Sequence, residues 1–147
     1  MAEVASDIAL YAYSAGIIDG EGTITIAKTG GTQDKPRYAL RATVTSTDEC
    51  LPLFLSLNFG GGVRLIESNS PKHKDCWCWE ISSRKAVKFL SAILPYLRIK
   101  HPQAELAISF QSRKHYYGSN KKTKAERVLD QADKILMLSY NKKGGKI

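Results

Sequence analysis

The stretch Tyr13-Ser14-Ala15-Gly16-Ile17-Ile18-Asp19-Gly20-Glu21-Gly22-Thr23 decides the fold of this chain of 147 residues. From Asp7 to Ile18 the apolar residues recur at helical spacing, and Gly20 stands where a left-handed residue would end a helix. From Thr23 to Lys28 apolar and polar residues alternate, which predicts a strand. We therefore expect a helix that ends on acidic residues and leads directly into a strand.

One side of this predicted helix carries mostly small side chains. Steps of three and four residues place Ile8, Ala12, Ala15, Gly16 and Asp19 along a single stripe. Small residues allow another helix to approach closely. The stripe therefore predicts a helix-helix contact.

The end of the helix, Asp19-Gly20-Glu21-Gly22, combines two carboxylates with two glycines. The helix macrodipole is negative at this end, so further negative charge is locally unfavourable. A divalent cation held by a carboxylate and a peptide carbonyl would compensate, because hard cations prefer oxygen ligands. The alternative is a glycine-rich turn with solvated acids, and these four residues alone leave both interpretations open.

Length and charge limit the protein class. The chain has the size of one domain, which we assign to residues 1–140, with a disordered tail at 141–147. Its 22 Lys and Arg against 14 Asp and Glu give a formal charge of +8, which favours a polyanionic partner such as DNA, RNA or an acidic membrane surface.

The cysteines and the apolar segments indicate an intracellular protein. The three cysteines are an odd number without zinc-ligand spacing, so we expect reduced thiols. The first ten residues lack a secretion signal, and no segment reaches the length of a membrane span. We expect no membrane partner, while the compartment stays open.

Turn residues and periodicity organise the remaining chain. Alternation predicts four strands, at 23–28, 38–45, 63–68 and 75–82, and helical patterns predict helices from about 47, 83, 102 and 123. The order is αββαββα with additional C-terminal helices. This predicts an α+β fold in which helices cover one face of an antiparallel sheet and the other face is polar and basic.

Two of the later helices have specific expected faces. A capping box, Thr123 with Glu126, begins the last helix. Its expected buried face consists of Val128, Leu129, Ala132, Ile135 and Leu136. The helix after Asp48 has an expected buried stripe of Leu51, Phe54, Leu55 and Leu57.

The segment from Ser14 to Gly22 closely resembles the LAGLIDADG motif, which names a family of homing endonucleases. The departures are Ser14 for the leading Leu and Glu21 for the commoner Asp. The matching positions are Ala15-Gly16 at A-G, Ile17-Ile18 at L-I, Asp19 at the first acid, Gly20 at a small position, Glu21 at the second acid and Gly22 at the closing Gly.

The resemblance implies a homodimer, because the chain contains one copy of the motif and the single-motif members of the family are symmetric pairs. In such pairs the motif helices pack together, so the implied dimer interface is Ile8, Ala12, Ala15 and Gly16. The second acid contributes to shared metal sites, so Glu21 and the Gly20 carbonyl would hold Mg²⁺, with Mn²⁺ or Ca²⁺ as alternative occupants. The chemistry would be two-metal phosphodiester hydrolysis.

The resemblance also suggests three further residues for the catalytic centre. Lys100 matches a family lysine near the attacking water, and its ammonium would polarise that water or stabilise the transition state. Ser46 falls nearest to the family's polar group at the end of the second strand, although the usual Gln and a following Arg are missing. Asp19 is expected to cap and orient the helix end.

In the family the antiparallel sheet lies in the major groove, where each base pair presents a distinct pattern of donors and acceptors. Arg37, Arg41 and Arg64 are the candidates for guanine contacts, and Lys114, Lys121, Lys122 and Lys124 are expected on phosphates. The full set of candidate DNA-binding residues is Thr23, Thr25, Lys28, Thr29, Gln33, Lys35, Arg37, Arg41, Thr43, Thr45, Arg64, Ile66, Ser68, Lys72, Lys74, Cys76 and Cys78. On the same face lies Glu80. Trp77 and Trp79 share the opposite face with Ile81, so we expect them in the core.

The sequence as a whole favours a metal-dependent homing endonuclease that hydrolyses both strands of a long pseudo-palindromic DNA target. One alternative is an RNA-splicing maturase of the same family, which would use the basic charge without needing Glu21. Another is a non-cleaving DNA-binding regulator with the same fold. The target sequence, the host, an origin in an intron or intein, and the number of metal ions are left open by the sequence.

Overall fold

The structure, a computed structural model, describes residues 2–114 and 122–143. The elements, in chain order, are α1 (Ala2–Glu21), β1 (Gly22–Gly31), β2 (Pro36–Ser46), α2 (Cys50–Phe59), β3 (Gly62–Ile66), β4 (Cys76–Ser82), α3 (Ser83–Ile93), a 3₁₀ turn (Leu94–Tyr96), α4 (His101–Ser112) and α5 (Lys124–Lys143). The predicted αββαββα order with additional helices is confirmed. None of the helices in the described ranges is long and apolar enough to cross a membrane.

The four strands form one antiparallel sheet in the order β1-β2-β4-β3. One face is covered by helices, and its side chains form the core together with Phe89, Leu90 and Phe110. As the alternation predicts, the strand residues on this face are Ile24, Ile26, Leu40, Ala42, Val44, Trp79 and Ile81. Trp79 also donates from Nε1 to the Gly60 carbonyl at 2.8 Å, whereas Trp77 is only half-buried.

Helix α1 runs further than predicted. It continues through Gly20 to Glu21, and Gly20 does not have the left-handed backbone that would end a helix. The turn into β1 depends instead on Gly22, where a Cβ atom would lie 2.8 Å from the Ile18 Cα. Because real Cβ atoms do not approach backbone so closely, only glycine fits at the junction of helix and sheet.

Helix α5 buries a different face from the one predicted. Its capping box forms as expected, since the Thr123 and Glu126 side chains each accept the other residue's N–H, at 3.1 and 3.3 Å. The predicted apolar face is wrong, because Val128 and Ile135 are 61% and 58% exposed and Leu129, Ala132 and Leu136 are exposed as well. The buried side chains are Asp130 and Met137.

The orientation of α5 follows from its contacts with the edge strand β1. Lys134 Nζ donates to the Ile26 carbonyl at 2.6 Å, and Asn141 Nδ2 donates to the Ile24 carbonyl at 3.0 Å. These bonds satisfy carbonyls of an edge strand that has no strand beyond it. The helix extends to Lys143, so residues 141–143 of the predicted tail are helical, while 144–147 lie outside the described residues.

Helix α2 differs from its predicted stripe in one residue. Leu55 is fully buried, but Leu57 is 85% exposed, and Pro52 is buried in its place. The helix ends at Gly60-Gly61, both with positive φ. A Cβ atom on Gly61 would lie 2.6 Å from the Glu80 carbonyl, so this glycine allows the chain to pass directly over β4.

Candidate functional site

The carboxylate of Asp19 holds the loop that follows the 3₁₀ turn. Its Oδ2 accepts the Arg98 N–H at 2.9 Å, and its Oδ1 accepts the N–H groups of Ile99 at 3.1 Å and Lys100 at 2.9 Å. Adjacent backbone donors converging on one carboxylate are charge-assisted hydrogen bonds. Asp19 therefore fixes the backbone of residues 98–100 against the last turn of α1.

The side chain of Lys100 also contacts the last turn of α1. Its Nζ donates to the carbonyls of Ile18 and Asp19, both at 3.0 Å. These carbonyls belong to the last turn of a helix, where intrahelical partners run out and the macrodipole is negative. Partial burial lowers the pKa of the Lys100 ammonium below its ordinary value, and the charges of Asp19 and Glu21 oppose that shift.

Glu21 lies two residues beyond Asp19 along the chain. It is the last residue of α1 and is exposed, as is Gly20 before it. Asp19 and Lys100 line a cavity of about 740 Å³, together with Gly22, Tyr140 and other residues. The carboxylate of Glu21 and the carbonyl of Gly20 are hard oxygen donors of the kind that Mg²⁺ binds. Within the described part of one chain, no three His, Cys, Asp or Glu side chains gather as a metal site.

Ser46 lies close to the same end of the sheet. The pairing of Gly22 with Val44 places Ser46, two residues further along β2, beside the end of α1. Its Oγ accepts the Asp48 N–H at 3.1 Å, so the hydroxyl supports the turn into α2. The strand register thus brings Ser46 to the end of the sheet where α1 leads into β1, although the two segments are far apart in the sequence.

The exposed stripe on α1 differs from the predicted one at a single position. Ile8 is 47% exposed and Ala12 and Gly16 are exposed, whereas Ala15 is fully buried. The predicted interface residue Ala15 is buried within the protomer, because a step of three residues from Ala12 turns it towards the core, beside Ser14. A Cβ atom on Gly16 would meet nothing within 4 Å in one protomer.

The uncovered face of the sheet carries the expected polar and basic side chains in register. Thr23 pairs with Thr43 and Thr25 with Arg41 across β1 and β2, and Arg64 pairs with Cys78 across β3 and β4. Arg37, Thr45 and Arg64 are exposed, while Arg41 is half-buried. Further members of this face are Thr29, Ile66 and Cys76.

Several candidate residues lie elsewhere or are covered. Cys78 is on this face but only 3% exposed. Lys28 pairs with the buried Tyr38, so the register places it on the helix-covered side, although it is exposed there. Gln33 and Lys35 lie in the β1–β2 turn, and Ser68, Lys72 and Lys74 lie in the loop between β3 and β4.

Two of the lysines expected on phosphates are engaged within the protein. Lys114 Nζ contacts the Tyr38 carbonyl, and Lys122 Nζ pairs with the buried Asp130, which also pairs with Arg113. Burial lowers the pKa of Lys114, with Lys122 adding to the shift and Asp130 opposing it. Lys124 is exposed, and Lys121 lies outside the described residues.

Sequence reasoning missed the contacts that cross between distant segments. The hold of Asp19 on residues 98–100 joins residues 79 to 81 positions apart, and no local pattern signals it. Arg41 Nε lies 3.5 Å from Glu80 Oε1 across β2 and β4. That pair could have been found only from the register of two strands that are not consecutive in the sequence.

No protein-family model and no curated protein sequence matches the chain, whereas solved structures do. The homing endonuclease I-CvuI, in complex with its target in the presence of 2 mM Ca, aligns with TM-score 0.73 and 19% identity over 92% of this chain and 83% of that chain. The homing endonuclease I-TnaI aligns with TM-score 0.55 and 19% identity over 69% and 71%. The LAGLIDADG homing endonuclease I-GzeII, in complex with a DNA target, aligns with TM-score 0.56 and 19% identity over 86% of this chain and 43% of that chain. This chain has the fold of the LAGLIDADG homing endonucleases.

Proposed function

We propose that this protein is a site-specific DNA endonuclease that works as a homodimer and hydrolyses both strands of a long pseudo-palindromic target with divalent metal ions. The observation that carries the proposal is the juxtaposition at the end of α1. There an exposed carboxylate, Glu21, stands beside an ammonium, Lys100, that is fixed by two helix carbonyls. Glu21 directly precedes β1, whose uncovered side is part of the basic sheet face.

The electrostatics of the sheet support a nucleic-acid partner. The uncovered face of the four strands carries Arg37, Arg41 and Arg64 against a single acid, Glu80. A positive surface of this kind attracts phosphates at long range, and its extended side chains suit the major groove. The solved structures with this fold include homing endonucleases in complex with DNA.

The metal role fits the donors at the helix end. Glu21 supplies a carboxylate and Gly20 a carbonyl, and a second copy would add the same pair from the other side. Bound divalent ions would generate the attacking hydroxide and stabilise charge on the departing oxygen. In this proposal Lys100, whose ammonium is fixed by two helix carbonyls, would hold or release a proton beside the attacking water. Ser46 would orient the water from the end of β2.

The homodimer proposal rests on the two glycines of α1. A glycine inside a helix costs about 1 kcal/mol relative to alanine. A Cβ atom on Gly16 or Gly20 would meet nothing within 4 Å among the described residues, so the packing of a single protomer does not require glycine at these positions. Close packing of α1 against the same helix of a second copy would require glycine there. This packing would also bring the two Glu21 carboxylates together.

The decisive experiment is Mg²⁺-dependent cleavage of a randomised DNA duplex library by the wild type and by Glu21→Gln, with sequencing of the cut ends. We expect double-strand cuts at one site, lost in Glu21→Gln while binding to that site persists. Glu49→Gln, which removes an exposed carboxylate at the start of α2, is the matched control and should cut normally. Tight binding without cutting by the wild type would replace the nuclease with a DNA-binding regulator, and selective binding of RNA would favour a maturase.

A further inference from the structure

Glu80 is out of place on the surface that it occupies. It is the only acidic residue in the four strands, and it lies on the uncovered face among threonines and arginines. An acid that faces the phosphates of DNA weakens binding by repulsion. Its presence in the middle of this face therefore calls for a specific role.

The partner of Glu80 is Arg41 on the neighbouring strand. Thr43 is directly opposite Glu80 in the register and Arg41 is opposite Ser82, so Arg41 and Glu80 are diagonal neighbours. Arg41 Nε lies 3.5 Å from Glu80 Oε1, and both side chains are 37% exposed. A diagonal pair of this kind is within reach for long side chains.

The contact leaves hydrogen-bonding capacity unused. Arg41 Nε is inaccessible to solvent, yet it has no hydrogen-bond partner among the residues that the structure describes. A buried donor without a partner costs free energy. The free protein therefore holds the guanidinium and the carboxylate side by side without a well-formed hydrogen bond at Nε.

We propose that Arg41 and Glu80 together read one G·C base pair in each half of the DNA target, an inference that rests on the proposed function. In the major groove guanine presents two acceptors, N7 and O6, and cytosine presents the N4 amino donor beside them. The guanidinium of Arg41 matches the guanine edge, and the carboxylate of Glu80 accepts from the cytosine amino group. An A·T pair keeps the N7 acceptor, but it presents an adenine amino donor to the second guanidinium N–H and a thymine carbonyl to the carboxylate, so one arginine bond and the glutamate bond are lost.

The register also gives the position of the base pair. Glu80 lies in the row of Thr23 and Thr43, and Arg41 lies in the row of Thr25. These rows are two and four residues along the chain from Glu21, which corresponds to about 7 to 14 Å of strand. At about 3.4 Å per base pair, the pair is expected about two to four base pairs from the cleavage centre.

The test is selection of bound sites from randomised duplexes without Mg²⁺, followed by affinity measurements on single-base variants of the selected site. We expect the wild type to select G·C at one mirrored position in each half-site. Glu80→Gln should reduce the preference for G·C over A·T there on the order of tenfold. Arg41→Lys, which keeps the charge but loses the bidentate fork, should reduce the same preference at the same position.

Glu67→Gln is the matched control, because it removes an exposed carboxylate just after β3. Glu80→Gln and Glu67→Gln should both strengthen overall DNA binding slightly, but Glu67→Gln should leave every base preference unchanged. Unchanged preferences in correctly folded Glu80→Gln would overturn this inference while the endonuclease proposal stands. A wild type that selects no sequence at all would instead overturn the proposed function, and the inference with it.

Discussion

Replacing Asp19 by Asn tests whether this carboxylate positions the loop of residues 98–100. Asn keeps an oxygen for the N–H groups of Ile99 and Lys100 but turns an amide donor towards the N–H of Arg98, which Oδ2 now accepts at 2.9 Å. Losing one charge-assisted bond and weakening two others costs about 2 to 3 kcal/mol. Removing a negative charge from a helix C-terminus returns about 0.5 kcal/mol.

The net expectation is a loss of about 2 kcal/mol, or about 4 to 8 °C in melting temperature for a chain of this size. Thermal and urea unfolding measure it, with Asp7→Asn as the control, since that acid is exposed on the same helix. Because Lys100 would lose its fixed backbone, the cleavage rate should fall further than stability explains while DNA affinity is kept. An Asp19→Asn protein that melts and cuts like the wild type would refute the positioning role.

Three further predictions follow from buried or crowded groups. Ser14→Ala should raise the free energy of unfolding by about 1 kcal/mol in urea denaturation, because the Ser14 hydroxyl is fully buried without a partner among the described residues. Gly16→Leu should abolish the dimer in analytical ultracentrifugation and leave the helical circular dichroism signal unchanged. Gly22→Ala should instead destabilise each protomer, since the alanine Cβ would lie 2.8 Å from the Ile18 Cα. Burial lowers the pKa of Lys100, so with rising pH the folded chain releases this proton before the unfolded chain does. The free energy of unfolding should therefore rise with pH just below the ordinary pKa of lysine. Denaturation series at alkaline pH should show this rise for the wild type but not for Lys100→Met.

The strands show what the sequence could predict. Alternation in β2 correctly separated Tyr38, Leu40, Ala42 and Val44 from the opposite face, because a strand has only two faces and one of them is covered by helices. On α1 the helical steps of three and four residues placed Ala15 with exposed neighbours, whereas it is buried. Alanine is small enough for either side of a helix, so its chemistry does not distinguish the core from an interface.

Helix α5 shows where periodicity stops being informative. An apolar stripe indicates a face that favours burial, but it does not say which neighbour is available. Here the neighbour is an edge strand, whose unpaired carbonyls need donors. Lys134 and Asn141 supply these donors, so the polar side of the helix faces β1 and the apolar side is exposed. Hydrogen bonding to the β1 carbonyls therefore outweighed burial of the apolar side of α5. The orientation of the helix depends on tertiary neighbours that its own sequence does not contain.

The two acids of α1 divide their roles by hydrogen bonding. Asp19 accepts three backbone N–H groups, so binding a metal would require it to give up bonds that hold the loop of Lys100. Glu21, two residues further, is exposed and lies beside the Lys100 ammonium. Lys100 in turn occupies the carbonyls of Ile18 and Asp19. Of the two acids, Glu21 is the one that fits the proposed metal role, because no hydrogen bond within the described residues engages its carboxylate, whereas Asp19 holds the loop.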